Sequence, residues 1–178
     1  MRKPKKYLLP IAGLVVLLSS LVVGCSQEEV ISLDQRPFLT YTNEDWGYSI
    51  NYPGNWEVDA IGATETYLLA PKPYSGFINI SIVANPNLTP EQAATGWFMA
   101  ITDTYNDPSL LANIKMETWW DWYTGYDYIS RAGEEFRGEA YFKQAESNLY
   151  KINMEGEREV FEDYPFDEII STFRFLLE

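Results

Sequence analysis

The chain has 178 residues, of which 13 are basic, 26 acidic, 46% hydrophobic and 16% aromatic, with one cysteine and no histidine. Without histidine there is no Ser-His-Asp or Cys-His catalytic arrangement, no histidine-built zinc site and no side chain that titrates unperturbed near neutrality. The formal charge of −13 argues against nucleic acid, which rewards basic patches.

The N-terminus is laid out as an export signal. Arg2, Lys3, Lys5 and Lys6 precede an uncharged run from Leu8 to Val23. At 16 residues, with Pro10 and two serines inside it, this run is shorter than the roughly 20 apolar residues of a membrane-spanning helix. It ends in small residues, as a cleavage site does. Val22-Val23-Gly24-Cys25 resembles the lipobox of bacterial lipoproteins, in which the cysteine thiol takes a diacylglyceryl group and becomes the mature N-terminus. Cys25 is the single cysteine of the chain. Two acyl chains, at ~0.8 kcal/mol per buried methylene, hold a protein on a bilayer where one holds it only marginally.

Residues 1–24 are therefore expected to be a lipoprotein signal peptide, 25–37 a lipidated N-terminus and tether, and 38–178 one domain. The expected location is the cell membrane, facing away from the cytoplasm: the outer face of the inner membrane, or the outer membrane in a diderm. Residues 25–178 keep nine basic side chains against all 26 acidic ones, a charge of −17. That charge argues against the domain lying flat on anionic lipid. A chain of this length buries about 70% of its unfolded surface without staples.

Ser26 to Arg36 is polar and without periodicity, as a tether is. Phe38 to Thr42 predicts a first strand, and Asn43-Glu44-Asp45 a turn. Trp46, Tyr48, Ile50 and Tyr52 alternate on one face of a second strand, which Pro53-Gly54 ends. Trp56 to Val58 and Thr66 to Ala70 read as short strands. Phe77 to Ala84 is a strand with Ile78, Ile80 and Ile82 on one face and Asn79 and Ser81 on the other. Thr89, Pro90 and Gln92 form a capping box that opens a helix. Its stripe is Ala93, Trp97, Ile101 and Tyr105, and burial against a sheet suits it better than a cofactor box. Asn106-Asp107-Pro108 stops it.

Ile114 to Trp122 and Tyr126 to Arg131 predict two strands. Glu139 to Gln144 and Leu149 to Glu155 predict a hairpin, with Tyr150, Ile152 and Met154 inward against Lys151, Asn153 and Glu155. Glu157 to Thr172 predicts a helix that Pro165 kinks or restarts, and Phe173 to Leu177 a closing strand. Rings at this abundance favour sheets. The order of elements is that of an α+β protein with a mostly antiparallel sheet.

The run Trp46-Gly47-Tyr48-Ser49-Ile50-Asn51-Tyr52-Pro53-Gly54-Asn55-Trp56 resembles the opening motif of PsbP-like domains. The capped helix at Thr89 and the strand start at Gly125-Tyr126 continue the resemblance. Ile169-Ile170-Ser171-Thr172-Phe173-Arg174-Phe175 resembles the family's close. The resemblance implies a three-layer α/β/α sandwich around a mostly antiparallel sheet. It also implies a binding or assembly role, because the characterised members dock onto other proteins. It carries no catalytic motif, so no catalytic residue, cofactor or metal ligand is transferred.

Trp119, Trp120, Trp122 and Tyr123 are the candidate binding residues. On a strand they occupy both faces. Either layers cover both faces, or the rings form an exposed platform for a partner or a sugar. Glu155, Glu157, Glu159, Glu162, Asp163, Asp167 and Glu168 lack calcium-loop spacing and read as a solvated face. Glu134-Glu135 alone makes a weak case for glycosidase chemistry. The expected function is therefore a non-catalytic, lipid-anchored module that docks onto another envelope protein, with a glycan or small-ligand binder as the alternative. Cys25→Ser is expected to move the protein from the membrane to the soluble fraction on cell fractionation, and undiminished membrane retention refutes the lipid anchor.

Overall fold

The computed structural model describes residues 32–33, 36–84 and 87–176. The expected signal peptide, Cys25 and most of the tether lie outside the described residues. The chain divides into two units, Met1–Val30 and Ile31–Glu178, and every element below belongs to the second.

Five strands come first: β1 (Phe38–Asn43), β2 (Tyr48–Pro53), β3 (Glu57–Ile61), β4 (Glu65–Leu69) and β5 (Phe77–Ala84). Helix α1 (Pro90–Thr104) follows, then β6 (Asn106–Lys115), β7 (Trp122–Ile129), β8 (Glu135–Ala145) and β9 (Asn148–Glu157). A 3-10 helix (Arg158–Asp163), α2 (Phe166–Ser171) and β10 (Arg174–Phe175) end the chain. The strands form a three-stranded sheet, β1-β2-β10, and a seven-stranded sheet, β3-β4-β5-β9-β8-β7-β6. Every pairing is antiparallel. The protein is thus α+β with mostly antiparallel sheet.

The two faces of the large sheet carry different cargo. Ile78, Ile80 and Ile82 of β5 lie opposite Met154, Ile152 and Tyr150 of β9. This face packs with Tyr48 and Ile50 of β2 and with Phe161, Phe166, Ile169 and Phe173 from the C-terminal segment. Each such side chain, fully buried, contributes roughly 1.5–3 kcal/mol. The other face meets α1, which packs on β6, β7 and β8 through Ala94 against Ala140 and Phe142, and Ile101 against Tyr126 and Tyr128. Thr89 caps α1 as expected: its hydroxyl accepts from the Gln92 amide, and the Gln92 side chain accepts from the Thr89 amide. Gly138 lets the Tyr126 ring lie flat on β8, where a Cβ would collide with that ring. The end of the tether is also docked. Leu33 is buried in the main core, its carbonyl accepts from Trp56 Nε1 at 3.0 Å, and Arg36 grips both carboxylate oxygens of Glu168.

Three expectations are corrected. The strand expected over Ile114–Trp122 ends at Lys115, and the next begins at Trp122, four residues before the expected Tyr126. Met116 to Asp121 is instead a tight connection, closed by the Met116 amide on the Asp121 carbonyl at 3.1 Å. The expected C-terminal helix is a 3-10 helix and a short α-helix. Pro165, which has no N–H to give to a continuous helix, stands at the N-cap of α2. Lys151, Asn153 and Glu155 do alternate against the inward residues of β9, but Lys151 lies against Trp97 of α1, and Asn153 and Glu155 are buried against Tyr126 and Tyr128. Ile80→Ala should lower stability by about 2–5 kcal/mol and Thr89→Ala by about 1 kcal/mol, as read by urea denaturation. Equal losses would contradict this placement of the core.

Candidate functional site

The structure separates the four candidate aromatics. Trp120 is 8% exposed and sits in the main core, its ring 5.6 Å from both Tyr141 and Phe173. Trp122 points to the opposite face, against Phe142 and under α1, and its indole N–H donates to Asn113 Oδ1. Tyr123 is half-buried beside Tyr141 at 5.1 Å. There burial raises the pKa of the neighbouring Glu139 carboxyl, and hydrogen bonds from Tyr123 and Tyr141 oppose the rise. Trp119 alone is exposed, at 39%. Trp120 and Trp122, expected on one strand face, are split because the chain turns between them.

Trp119 stands beside a cleft, against two of its lining residues. Its ring lies 5.2 Å from Phe175, and Lys143 Nζ lies 5.6 Å from its centroid. Phe175 and Lys143 both line a cavity of about 440 Å³, together with Trp46, Tyr150, Gln144 and Asn148. Three segments build it: the β1–β2 turn, the β8–β9 hairpin and β10. The Tyr150 hydroxyl donates to the Trp46 carbonyl at 3.0 Å, and the Leu176 amide to the Gly47 carbonyl at 2.7 Å. Asp121 holds the hairpin, accepting from Lys143 Nζ at 3.2 Å and from the Gln144 amide at 2.7 Å. Trp46 Nε1 is buried with no hydrogen-bond partner. Trp46, Tyr150 and Phe175 were legible as apolar strand residues, but no local pattern marks three distant segments as neighbours.

A second cluster lies under α1. The Tyr126 hydroxyl is 2.6 Å from Asn153 Oδ1 and 2.8 Å from Glu155 Oε1. The Tyr128 hydroxyl donates to Glu155 Oε2 at 2.6 Å, and Asn153 Nδ2 to Oε1 at 2.8 Å. Trp97 Nε1 donates to the Tyr126 hydroxyl at 3.3 Å, which ties α1 to this network. Burial and the adjoining Glu155 carboxylate push the hydroxyls of Tyr126 and Tyr128 well above the ordinary tyrosine range. Lys151 on the same face places its ammonium 3.3 Å from the Trp97 ring centroid. Desolvation lowers its pKa to about 8, against the opposing pull of Glu155 and Glu65.

The other acidic candidates divide. Glu159, Glu162, Asp163, Asp167 and Glu168 are exposed, as a solvated face requires. Glu155 is buried, and Glu157 is half-buried, where it accepts from the Tyr164 hydroxyl and the Ser75 amide. Glu134 and Glu135 are exposed, and Glu135 pairs with Arg158 at 3.3 Å.

Two antiparallel sheets, the larger backed by one capped helix, make a fold similar to that of PsbP and Mog1, the fold that the opening and closing motifs imply. The Ran-binding protein Mog1p of Saccharomyces cerevisiae superimposes with a TM-score of 0.58 at 6% identity, over 79% of this chain and 96% of that one. Cyanobacterial PsbP (CyanoP) from Synechocystis sp. PCC 6803 superimposes with a TM-score of 0.56 at 11% identity, over 86% of this chain and 98% of that one. At such identities the likeness is one of fold. No family profile matches the sequence, and no curated protein is similar to it in sequence.

Lys151 makes stability depend on pH in a defined window. The folded state gives up this proton near pH 8, the unfolded chain near its ordinary value of about 10.4. Between those values the unfolded state binds more protons, so stability rises with pH. Tyr48 acts oppositely: burial raises its pKa to about 12, so above pH 10 the unfolded chain ionises first and stability falls. Thermal melts should therefore peak near pH 10. Lys151→Met should abolish the rise from pH 8 and leave the fall above pH 10, and an unchanged profile refutes the role of Lys151.

Proposed function

We propose that this protein is a lipid-anchored, extracytoplasmic and non-catalytic module that docks onto another protein of the envelope through Trp119 and the cleft beside it. The observation that carries this reading is exposed Trp119 beside half-buried Phe175 and Lys143, two of the residues lining a cavity of about 440 Å³ that Trp46 and Tyr150 also wall. Tryptophan and tyrosine anchors of this kind dominate binding energies at protein interfaces. The export and lipobox pattern supports the address, with Cys25 as the diacylglyceryl attachment. Among fold neighbours, Mog1p is named as Ran-binding, which supports a docking role for a domain of this shape.

A second reading has its own support. The cleft is concave, ring-walled and edged by Glu44, Asp45 and Asn148, as a saccharide site is. The two separate in one experiment: cross-linked capture of tagged full-length protein from its native membranes, beside a saccharide array. Trp119→Ala should lose one recurrent protein partner, while Met99→Ala, on the exposed side of α1, keeps it. A partner indifferent to Trp119→Ala refutes the surface. No partner, with saccharide binding that Trp119→Ala abolishes, replaces docking by the second reading.

A further inference from the structure

α1 packs chiefly on β6, β7 and β8. Beside it, on the same face of the sheet, runs a groove of about 210 Å³. Its walls are rings: Tyr67 and Phe77, with centroids 5.9 Å apart, Trp97 of α1, and Tyr105 just beyond it. Its floor is polar. Asn79 and Asn153 are directly paired across β5 and β9, and Glu155 sits opposite Phe77. Asn79, Asn153 and Glu155 are each under 5% exposed.

Two features of this floor are unresolved within the protein. The Glu155 carboxylate receives donors from Tyr126, Tyr128 and Asn153, yet no lysine or arginine among the described residues makes an ion pair with it. Lys151, on the same face of the same strand, turns its ammonium to the Trp97 ring instead. Asn79 Nδ2 is a buried donor with no partner, and a donor left unmade in the interior is costly. Lys151 acts on Glu155 only through space, without an ion pair, and no group among the described residues accepts from Asn79 Nδ2.

We propose that this groove is a binding site, separate from the Trp119 cleft, for a small ammonium compound carrying an acceptor oxygen a few bonds from its nitrogen. The carboxylate at the floor and the rings of Tyr67 and Phe77 at the wall both attract a cation, whereas Trp97 already carries the Lys151 ammonium and Tyr105 stacks on Tyr128. The ammonium neutralises Glu155, and the oxygen accepts from Asn79 Nδ2. An anion meets Glu155 and the net negative charge. A neutral polyol leaves the buried carboxylate without an ion pair. The inference does not depend on the docking reading, because the groove and the cleft share no lining residue.

The test is calorimetric titration of the detergent-solubilised full-length protein with choline and ethanolamine, with glucose and acetate as the neutral and anionic comparisons. Choline and ethanolamine should bind, and glucose and acetate should not. Glu155→Gln should weaken choline roughly tenfold or more, since it removes one partner of a buried charge pair. Tyr67→Ala, at the half-buried rim, should weaken it roughly threefold or more with the circular dichroism spectrum unchanged. If Glu155→Gln does not fold, Tyr67→Ala decides. Glycerophosphocholine, titrated in parallel, separates a lipid headgroup from a free amino alcohol: whichever of it and choline binds tighter identifies the source. Absence of choline and ethanolamine binding, equal binding of glucose, or choline affinity untouched by Tyr67→Ala overturns the proposal.

Discussion

The β5–β9 ladder is the contact on which the rest of the domain depends. It runs over eight residue pairs through the middle of the large sheet, and it is buried on both sides by different means. On one side three isoleucines face Met154, Ile152 and Tyr150, and the β1-β2-β10 sheet and the C-terminal segment close over them. On the other, Asn79, Ser81, Lys151, Asn153 and Glu155 lie toward α1. An apolar face gains free energy from any well-packed cover. A polar face gains only if its donors and acceptors are matched, and Tyr126, Tyr128 and Trp97 supply most of that matching.

That division gives the molecule two concavities of different character. The Trp119 cleft lies where two hairpin ends and β10 meet, so its walls come from segments whose strands are fixed elsewhere. Its aromatic surface is set without disturbing the core, as functional surfaces on loops and strand ends commonly are. The groove beside α1 is made by the sheet itself. Its rings and its carboxylate are part of the same network that holds α1 in place, so the site there is inseparable from the packing of the helix.

Electrostatics follow the same geometry. Most of the acidic excess is on the surface, where it favours solubility and contributes little through single pairs. Asp127 and Glu155 are buried; Asp127 is paired with Arg137 and Arg158, while Glu155 makes no ion pair among the described residues. The tyrosine donors to Glu155 have strongly raised pKa values because burial and the nearby carboxylate both penalise phenolate. Lys151 is lowered for the complementary reason, loss of water around an ammonium. The shifted tyrosines and lysine of this face thus record the helix lying on the sheet.

Much was determined by the sequence alone. The capping box at Thr89, the isoleucine alternation in β5, the hairpin of β8 and β9 and the PsbP-like opening and closing motifs are local patterns. Each is readable because backbone periodicity and terminal hydrogen bonds act within a few residues. Tertiary structure decided the fate of residues whose neighbours are distant. Trp119, Trp120 and Trp122 are consecutive or nearly so, yet one stands beside a cleft, one enters the main core and one packs under α1, because the chain turns at Met116 to Asp121. Lys151, Asn153 and Glu155 alternate as a solvated face would. They are covered because a helix fifty residues earlier in the chain packs beside them, and strand periodicity reports which side a residue faces but not what lies there.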